Sequence, residues 1–168
     1  MSSIGFLLAA LGVLVVYEGV QHFKGTTASA AVPPATGGVQ SGATDYATLA
    51  QQHSAVTGIP ASVYQAIINS EAGPGARPTN SLFGIKCTNP PCYSSPTWEM
   101  VNGQRVDTVA LFQAYPTPND AFNAFDTLAI SLAGPFTGNV RGWLNQLTAA
   151  GYATNPGWGG TIATSAGY

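Results

Sequence analysis

Charge is the scarcest property of this chain. Only 7% of its 168 residues are Asp, Glu, Lys or Arg, against about 25% in an ordinary soluble domain. Lys and Arg together number 5 and the net charge is −2, so the electrostatic footprint of a nucleic-acid binder is missing. A chain kept unfolded by charge repulsion is also excluded, and 45% apolar residues are enough for a core. Cysteine and histidine are nearly absent, with 2 of each. A zinc site at Cys87 and Cys92 would need two more ligands close by, and none stands there. His22 and His53 have no partner at metal-ligand spacing, which also argues against a histidine-based nucleophilic triad. Gly 20 and Pro 12 are plentiful but follow no period, against collagen-like and solenoid architectures. Gly73-Pro74-Gly75-Ala76-Arg77-Pro78 lacks the Lys-Ser/Thr of a phosphate loop and reads as a turn. No metal and no cofactor are expected.

A long apolar run begins almost at the first residue. From Met1 to Tyr17 no side chain is charged, and Ile4 to Phe23 is long enough for a bilayer span of about 17–25 residues. This reading places Glu18 near the headgroups and Lys24 at the interface, with residues 4–23 in the lipid bilayer. The rival is a cleaved signal peptide with Ala28-Ser29-Ala30 as its site. Against that, no basic segment precedes the run, and Glu18, His22 and Lys24 separate it from the site. Gly5, Gly12 and Gly19 recur every seven residues on one helix face, a pattern open to helix–helix association and equally to the ordinary glycine content of membrane helices. Residues 25–44 contain Ala, Thr, Ser, Pro, Gly and Val without charge or aromatics, a flexible tether. The expected organisation is thus 1–24 transmembrane anchor, 25–44 linker and 45–168 folded domain.

Within that domain, Thr44 or Asp45 can cap a helix that ends at Gly58, and Pro60 opens a second over 61–70 with Glu71 at its end. Residues 74–96 read as loop. Asn102-Gly103 joins two hairpin strands, 97–101 and 104–109. Thr117-Pro118-Asn119-Asp120 starts a helix whose apolar positions Ala121, Phe122, Phe125, Leu128, Ala129 and Leu132 repeat at 3.6 residues. A further helix spans 140–150 with Gly151 as its cap, and Asn155-Pro156 opens a short last one. The fold class is α+β, mostly α, with one small β-hairpin.

Few groups can carry chemistry. Asp45 and Asp120 are explained as helix-start residues, Asp126 as the polar face of its helix, and Asp107 as an outward hairpin residue. Glu71 and Glu99 have no such explanation. Two carboxylates on separate elements suit glycoside hydrolysis, where one protonates the leaving oxygen and the other stays ionised. The plain alternative is a helix-terminal Glu and an exposed strand Glu. Trp98, Tyr152 and Trp158 lie in or near turns, where aromatics either stack on sugars or pack beneath loops. Cys87 and Cys92 fit a short-loop disulfide in an oxidising compartment, or two free thiols.

Several ordered motifs resemble glycoside hydrolase family 73, the endo-β-N-acetylglucosaminidases of bacterial cell walls. Gln65-Ala66-Ile67-Ile68-Asn69-Ser70-Glu71-Ala72-Gly73 resembles the helix end that carries the catalytic acid. Asn80-Ser81-Leu82-Phe83-Gly84-Ile85-Lys86 is similar to the Asn-x-Leu-Phe-Gly-Ile-Lys signature. Thr97-Trp98-Glu99 resembles the Thr-x-Glu of the second acid, Phe112-Gln113-Ala114-Tyr115 the Phe-Arg-x-Tyr segment, and Gly151-Tyr152-Ala153-Thr154-Asn155-Pro156 the Gly-Tyr-Ala-Thr-Asp-Pro motif. Gln113 stands where the family has Arg, Asn155 where it has Asp, and the Cys87–Cys92 loop is extra.

The resemblance covers residues 45–165. It implies a lysozyme-like domain, with Glu71 and Glu99 catalytic and Asn80, Phe83, Trp98, Tyr115, Tyr152 and Trp158 binding substrate. It further implies cleavage of β-1,4 bonds in peptidoglycan glycan strands, with Tyr152 placing an N-acetyl group. A lytic transglycosylase, which needs one Glu, and a non-catalytic wall-binding or structural membrane protein are the alternatives. The anchor would put the domain on the wall-facing side of a bacterial envelope, or in the membrane of a membrane-containing phage particle.

Overall fold

A computed structural model describes residues 45–72 and 79–168. The expected span over 4–23, its stripe Gly5, Gly12 and Gly19, and the linker 25–44 lie outside the described residues. Among the described residues, no helix is long and apolar enough to cross a membrane.

Helix α1, Tyr46–Thr57, starts where the Asp45 carboxylate accepts the N–H groups of Ala47 and Thr48, and stops at Gly58 in the left-handed region. Helix α2 is Ala61–Ala72. It runs two residues past the expected end because Ser70, Glu71 and Ala72 are all helix-compatible and the first breaker is Gly73. Glu71 therefore belongs to the last turn. Strands β1, Cys92–Val101, and β2, Gln104–Gln113, form an antiparallel hairpin. Asn102 and Gly103 turn it with positive φ at both positions, as a two-residue turn matching strand twist requires. The strands are longer than expected. In a two-stranded sheet every strand is an edge, so Pro96 can sit in β1 with its missing donor facing away from β2.

Helix α3, Pro118–Ala133, opens with a reciprocal cap between Thr117 and Asp120, worth about 1 kcal/mol. Helix α4, Val140–Ala149, is capped by the Asn139 side chain and ends at Ala150, with Gly151 in the left-handed conformation just beyond. Helix α5 is Trp158–Ser165. The described domain is mostly helical with one small hairpin, as the patterning implied.

The helices pack in a closed ring, α1 on α2, α2 on α5, α5 on α4, α4 on α3 and α3 on α1. Tyr64, Phe83, Phe122, Phe125, Ile67, Leu144, Leu147 and Ile162 fill its centre. Phe83 enters from the segment between α2 and β1, with its ring stacked on Phe125 at 4.5 Å and edge-on to Phe122 at 4.9 Å. Among the described residues, the hairpin strands pack against no helix. They are joined at their base by residues 85–87, where the Cys87 N–H donates to Leu111 O and the Gln113 N–H to Ile85 O. Cys87 and Cys92 form a disulfide there, with Cα atoms 5.7 Å apart.

Asp126 departs from its expected place on a polar face. Its side chain is only 13% exposed and accepts His53 Nδ1 at 2.6 Å and the Tyr64 hydroxyl at 2.5 Å. Thr57 bonds to Tyr64 in turn, and Asn119 Oδ1 lies 3.1 Å from His53 Nε2. Helical spacing showed that Asp126 flanks the apolar stripe. It could not show that α1 and α2 each bring a polar group, His53 and Tyr64, to meet it. Burial opposes charge on the His53 imidazole, but the bonds to Asp126 and Asn119 and the Asp126 charge outweigh it, so the proton is held above the ordinary histidine value.

A raised folded value means that this contribution is complete below the unfolded histidine pKa of about 6.5 and is lost as pH climbs through the folded value. Thermal unfolding followed between about pH 5 and pH 9 should show this loss. Asp126→Asn should flatten that dependence and cost on the order of 2 kcal/mol.

Candidate active site

The apolar stripe of α2 runs through Val63, Tyr64, Ile67 and Ile68. One turn further, the same stripe carries Glu71 (three and four residues on from Ile68 and Ile67), so the carboxylate arrives at the edge of the core rather than on a solvated face. Trp158, at the first position of α5, donates its indole N–H to Glu71 Oε1 at 2.9 Å. The backbone at Gly84 closes the other side: a Cβ there would lie 2.6 Å from Glu71 Oε2, and φ is +62°. Glycine is required on both counts.

Trp158 is in turn placed by the α4–α5 contact. A Cβ at Gly159 would stand 2.6 Å from the Leu144 carbonyl oxygen, so only glycine allows the two backbones to approach this closely. Tyr152 packs between Trp158, at 4.9 Å, and Phe125, at 5.8 Å between ring centres. Its hydroxyl donates to the Phe83 carbonyl oxygen at 2.5 Å. Burial first, then the negative charge of Glu71 and the neighbouring Tyr115, pushes the Tyr152 phenol well above its ordinary value, so it stays a neutral donor. Burial alone raises Tyr115 to about 12.

Glu99 is held differently. Lys86 Nζ lies 2.5 Å from its Oε1, and the Thr154 hydroxyl donates to its Oε2 at 2.8 Å. Partial burial would raise this carboxyl, but Lys86 and Thr154 prevail and hold it below the ordinary glutamate value. Lys86 also lies 4.8 Å over the Phe112 ring. The segment Phe83-Gly84-Ile85-Lys86 therefore serves both carboxylates. Phe83 anchors it in the core, Gly84 makes room for Glu71, and Lys86 reaches Glu99.

The aromatic and amide residues expected to bind substrate divide sharply. Tyr152 lies close enough to Glu71 to feel its charge, and Tyr115 neighbours Tyr152. The Phe83 ring does not reach a surface, being 1% exposed inside the aromatic core, and offers only its carbonyl. Trp158 is 7% exposed and acts on Glu71 rather than as an open stacking platform. Trp98 alternates with Glu99 along β1 and lies on the opposite face of the hairpin, 38% exposed, under the Arg105 guanidinium. Asn80 braces the loop, donating to the carbonyl oxygens of Tyr115 and Pro116. Sequence reasoning missed Gly84, Thr154 and Lys86 as individual contributors, although all three sit inside motifs it had marked. Among the described residues, no cluster of three or more His, Cys, Asp or Glu could hold a metal.

Replacing Gly84 by Ala should drive the Glu71 carboxylate off the Trp158 indole. The Trp158 side-chain N–H resonance is the reporter and should shift in Gly84→Ala, with a stability loss of roughly 1–2 kcal/mol from the left-handed backbone.

A family model described as glucosaminidase, mannosyl-glycoprotein endo-beta-N-acetylglucosaminidase, matches residues 47–166. Among solved structures, the chain is similar to a peptidoglycan hydrolase mutant from Sphingomonas sp. A1, at 25% identity and TM-score 0.61, over 72% of this chain and 88% of that one. It shares the fold of a C-terminally truncated glycoside hydrolase domain of Salmonella typhimurium FlgJ, at 22% identity and TM-score 0.51, over 72% and 90% of the two chains. It also shares the fold of an N-acetylmuramoyl-L-alanine amidase from Staphylococcus aureus, at 21% identity and TM-score 0.58, over 74% of this chain and 42% of that one. No curated protein matches the chain significantly. Since the family model spans well over half of the sequence, this chain belongs to the glucosaminidase family and is a glycoside hydrolase.

Proposed function

We propose that the protein cleaves β-1,4 glycosidic bonds of peptidoglycan glycan strands, as an endo-β-N-acetylglucosaminidase. The observation that carries this reading is the seat of Glu71, a carboxyl at the end of an apolar helix stripe, held by an indole N–H and pressed against a glycine backbone. Glu71 is the general acid. An indole N–H can only donate, so Oε1 is an acceptor in either protonation state. Glu99, kept anionic by Lys86 and Thr154, acts on the developing positive charge at the sugar or on the attacking water. Tyr152 supplies apolar surface beside the acid. With its proton committed to Phe83, Tyr152 still has an oxygen lone pair to accept from a substrate N-acetyl N–H.

We propose further that residues 4–23 anchor this hydrolase in a membrane, with residues 25–44 as the tether to the wall. The support is the apolar run and the charge-free Pro/Gly-containing segment after it. The low charge and small size suit a lytic protein carried in the membrane of a phage particle as well as a resident of the bacterial envelope. Finding the full-length chain in purified particles would establish the former.

Glu71→Gln keeps the shape and the Trp158 acceptor but has no acidic proton. It should remain folded and lose at least about 100-fold in the release of glycan fragments from purified cell walls. Product ends analysed by mass spectrometry should be reducing N-acetylglucosamine. Anhydro-muramic ends would establish a transglycosylase instead, and clearing undiminished in Glu71→Gln would remove Glu71 from the chemistry.

A further inference from the structure

The hairpin presents a mechanical problem. Among the described residues its strands pack against no helix, yet β1 must hold Glu99 at a defined place relative to Glu71 on α2. At the base, residues 85–87 pair with the end of β2. Toward the tip, Thr154, in the segment between α4 and α5, meets β1. Its hydroxyl accepts the Met100 backbone N–H at 3.1 Å and donates to Glu99 Oε2 at 2.8 Å. One hydroxyl thereby grips both the backbone of β1 and the carboxylate that β1 carries. A hydroxyl does both through a single atom, being donor and acceptor at once.

We propose that Thr154 is the positioning residue for Glu99, a clasp that fixes the hairpin against the helical body and aims the carboxylate at the reacting sugar. This rests on the hydrolase reading above. The groups facing Glu99 divide by element. Lys86 comes from the segment before the hairpin, and Thr154, which is neutral, comes from the α4–α5 segment. Arg105 and Asp107 pair with each other on the opposite face of the hairpin. Lys86 supplies charge through a flexible stem that is half exposed. Thr154 supplies geometry, because its short side chain is attached to the segment that also carries Tyr152. Glu99 and Glu71 are thus registered to each other through a stretch of seven residues, from Tyr152 to Trp158.

The test uses the full-length chain in detergent. Its glutamates are Glu18, Glu71 and Glu99, so carboxyl-labelled glutamate spectra can be assigned by single substitutions. Thr154→Val keeps the volume and removes the hydroxyl; Thr154→Ser keeps the hydroxyl. In Thr154→Val the Glu99 carboxyl should titrate at higher pH than in the wild type, and the acid limb of the kcat profile should move up with it. We expect kcat to fall about tenfold with KM little changed, and Thr154→Ser to recover both titration and rate. An unchanged Glu99 titration in folded Thr154→Val, or a shifted titration with unchanged kcat, would overturn the proposal. Failure of the hydrolase reading looks different: wild type and Glu71→Gln would be equally inert on glycan, while the titration, which needs no substrate, would still report on the clasp.

Discussion

The carboxylate of Glu71 sits where an apolar helix stripe runs out, and much of the described domain is arranged to make that position tenable. A charged or hydrogen-bonding group at the edge of a core costs free energy unless its partners are fixed in advance. Here one such partner is the Trp158 indole, which is itself locked because α4 and α5 approach closely enough to demand glycine at 159. The opposite wall is backbone, at a glycine whose conformation and lack of a side chain are both required. The aromatic line Phe125, Tyr152, Trp158 connects this corner to the centre of the domain.

The two carboxylates are set in contrasting surroundings. Among the described residues, an indole N–H and a glycine backbone meet Glu71, and an ammonium and a hydroxyl meet Glu99. Such a difference is how one enzyme assigns different roles to two chemically identical side chains. The short segment 83–86 links the two environments, since its residues in turn fill the core, clear space for one carboxylate and pair with the other. The Cys87–Cys92 disulfide lies immediately beyond it, closing the loop that leads into β1. Away from the site, the buried His53–Asp126–Tyr64 network draws α1, α2 and α3 together. It contributes to the framework without touching the chemistry.

Much of this was legible in the sequence because it depends on neighbours along the chain. Helix starts at Asp45 and Thr117, the stop at Gly58 and the Asn102-Gly103 turn follow from local backbone and capping chemistry. The two glutamates stood out by elimination in a chain with so few charges. The roles of the aromatics were not legible. Trp98 and Trp158 read equally as sugar platforms or as packing beneath loops, and Phe83 came in only through the family resemblance, since an aromatic beside a turn looks alike whether its ring faces a ligand, the solvent or the core. Strand alternation did imply that Trp98 and Glu99 face opposite ways, and that signal could have been used.

The sequence by itself determined the helical domain with its single hairpin and the candidate acids, because periodicity, capping and scarcity of charge act over a few residues at a time. Tertiary structure alone decided which groups surround each acid. The contacts Trp158 to Glu71, Tyr152 to Phe83, Thr154 to Glu99 and His53 to Asp126 join residues 55 to 87 positions apart. No local rule reaches across such separations; only the packing of the helices in a ring, with the hairpin clasped beside it, brings those atoms within hydrogen-bonding distance.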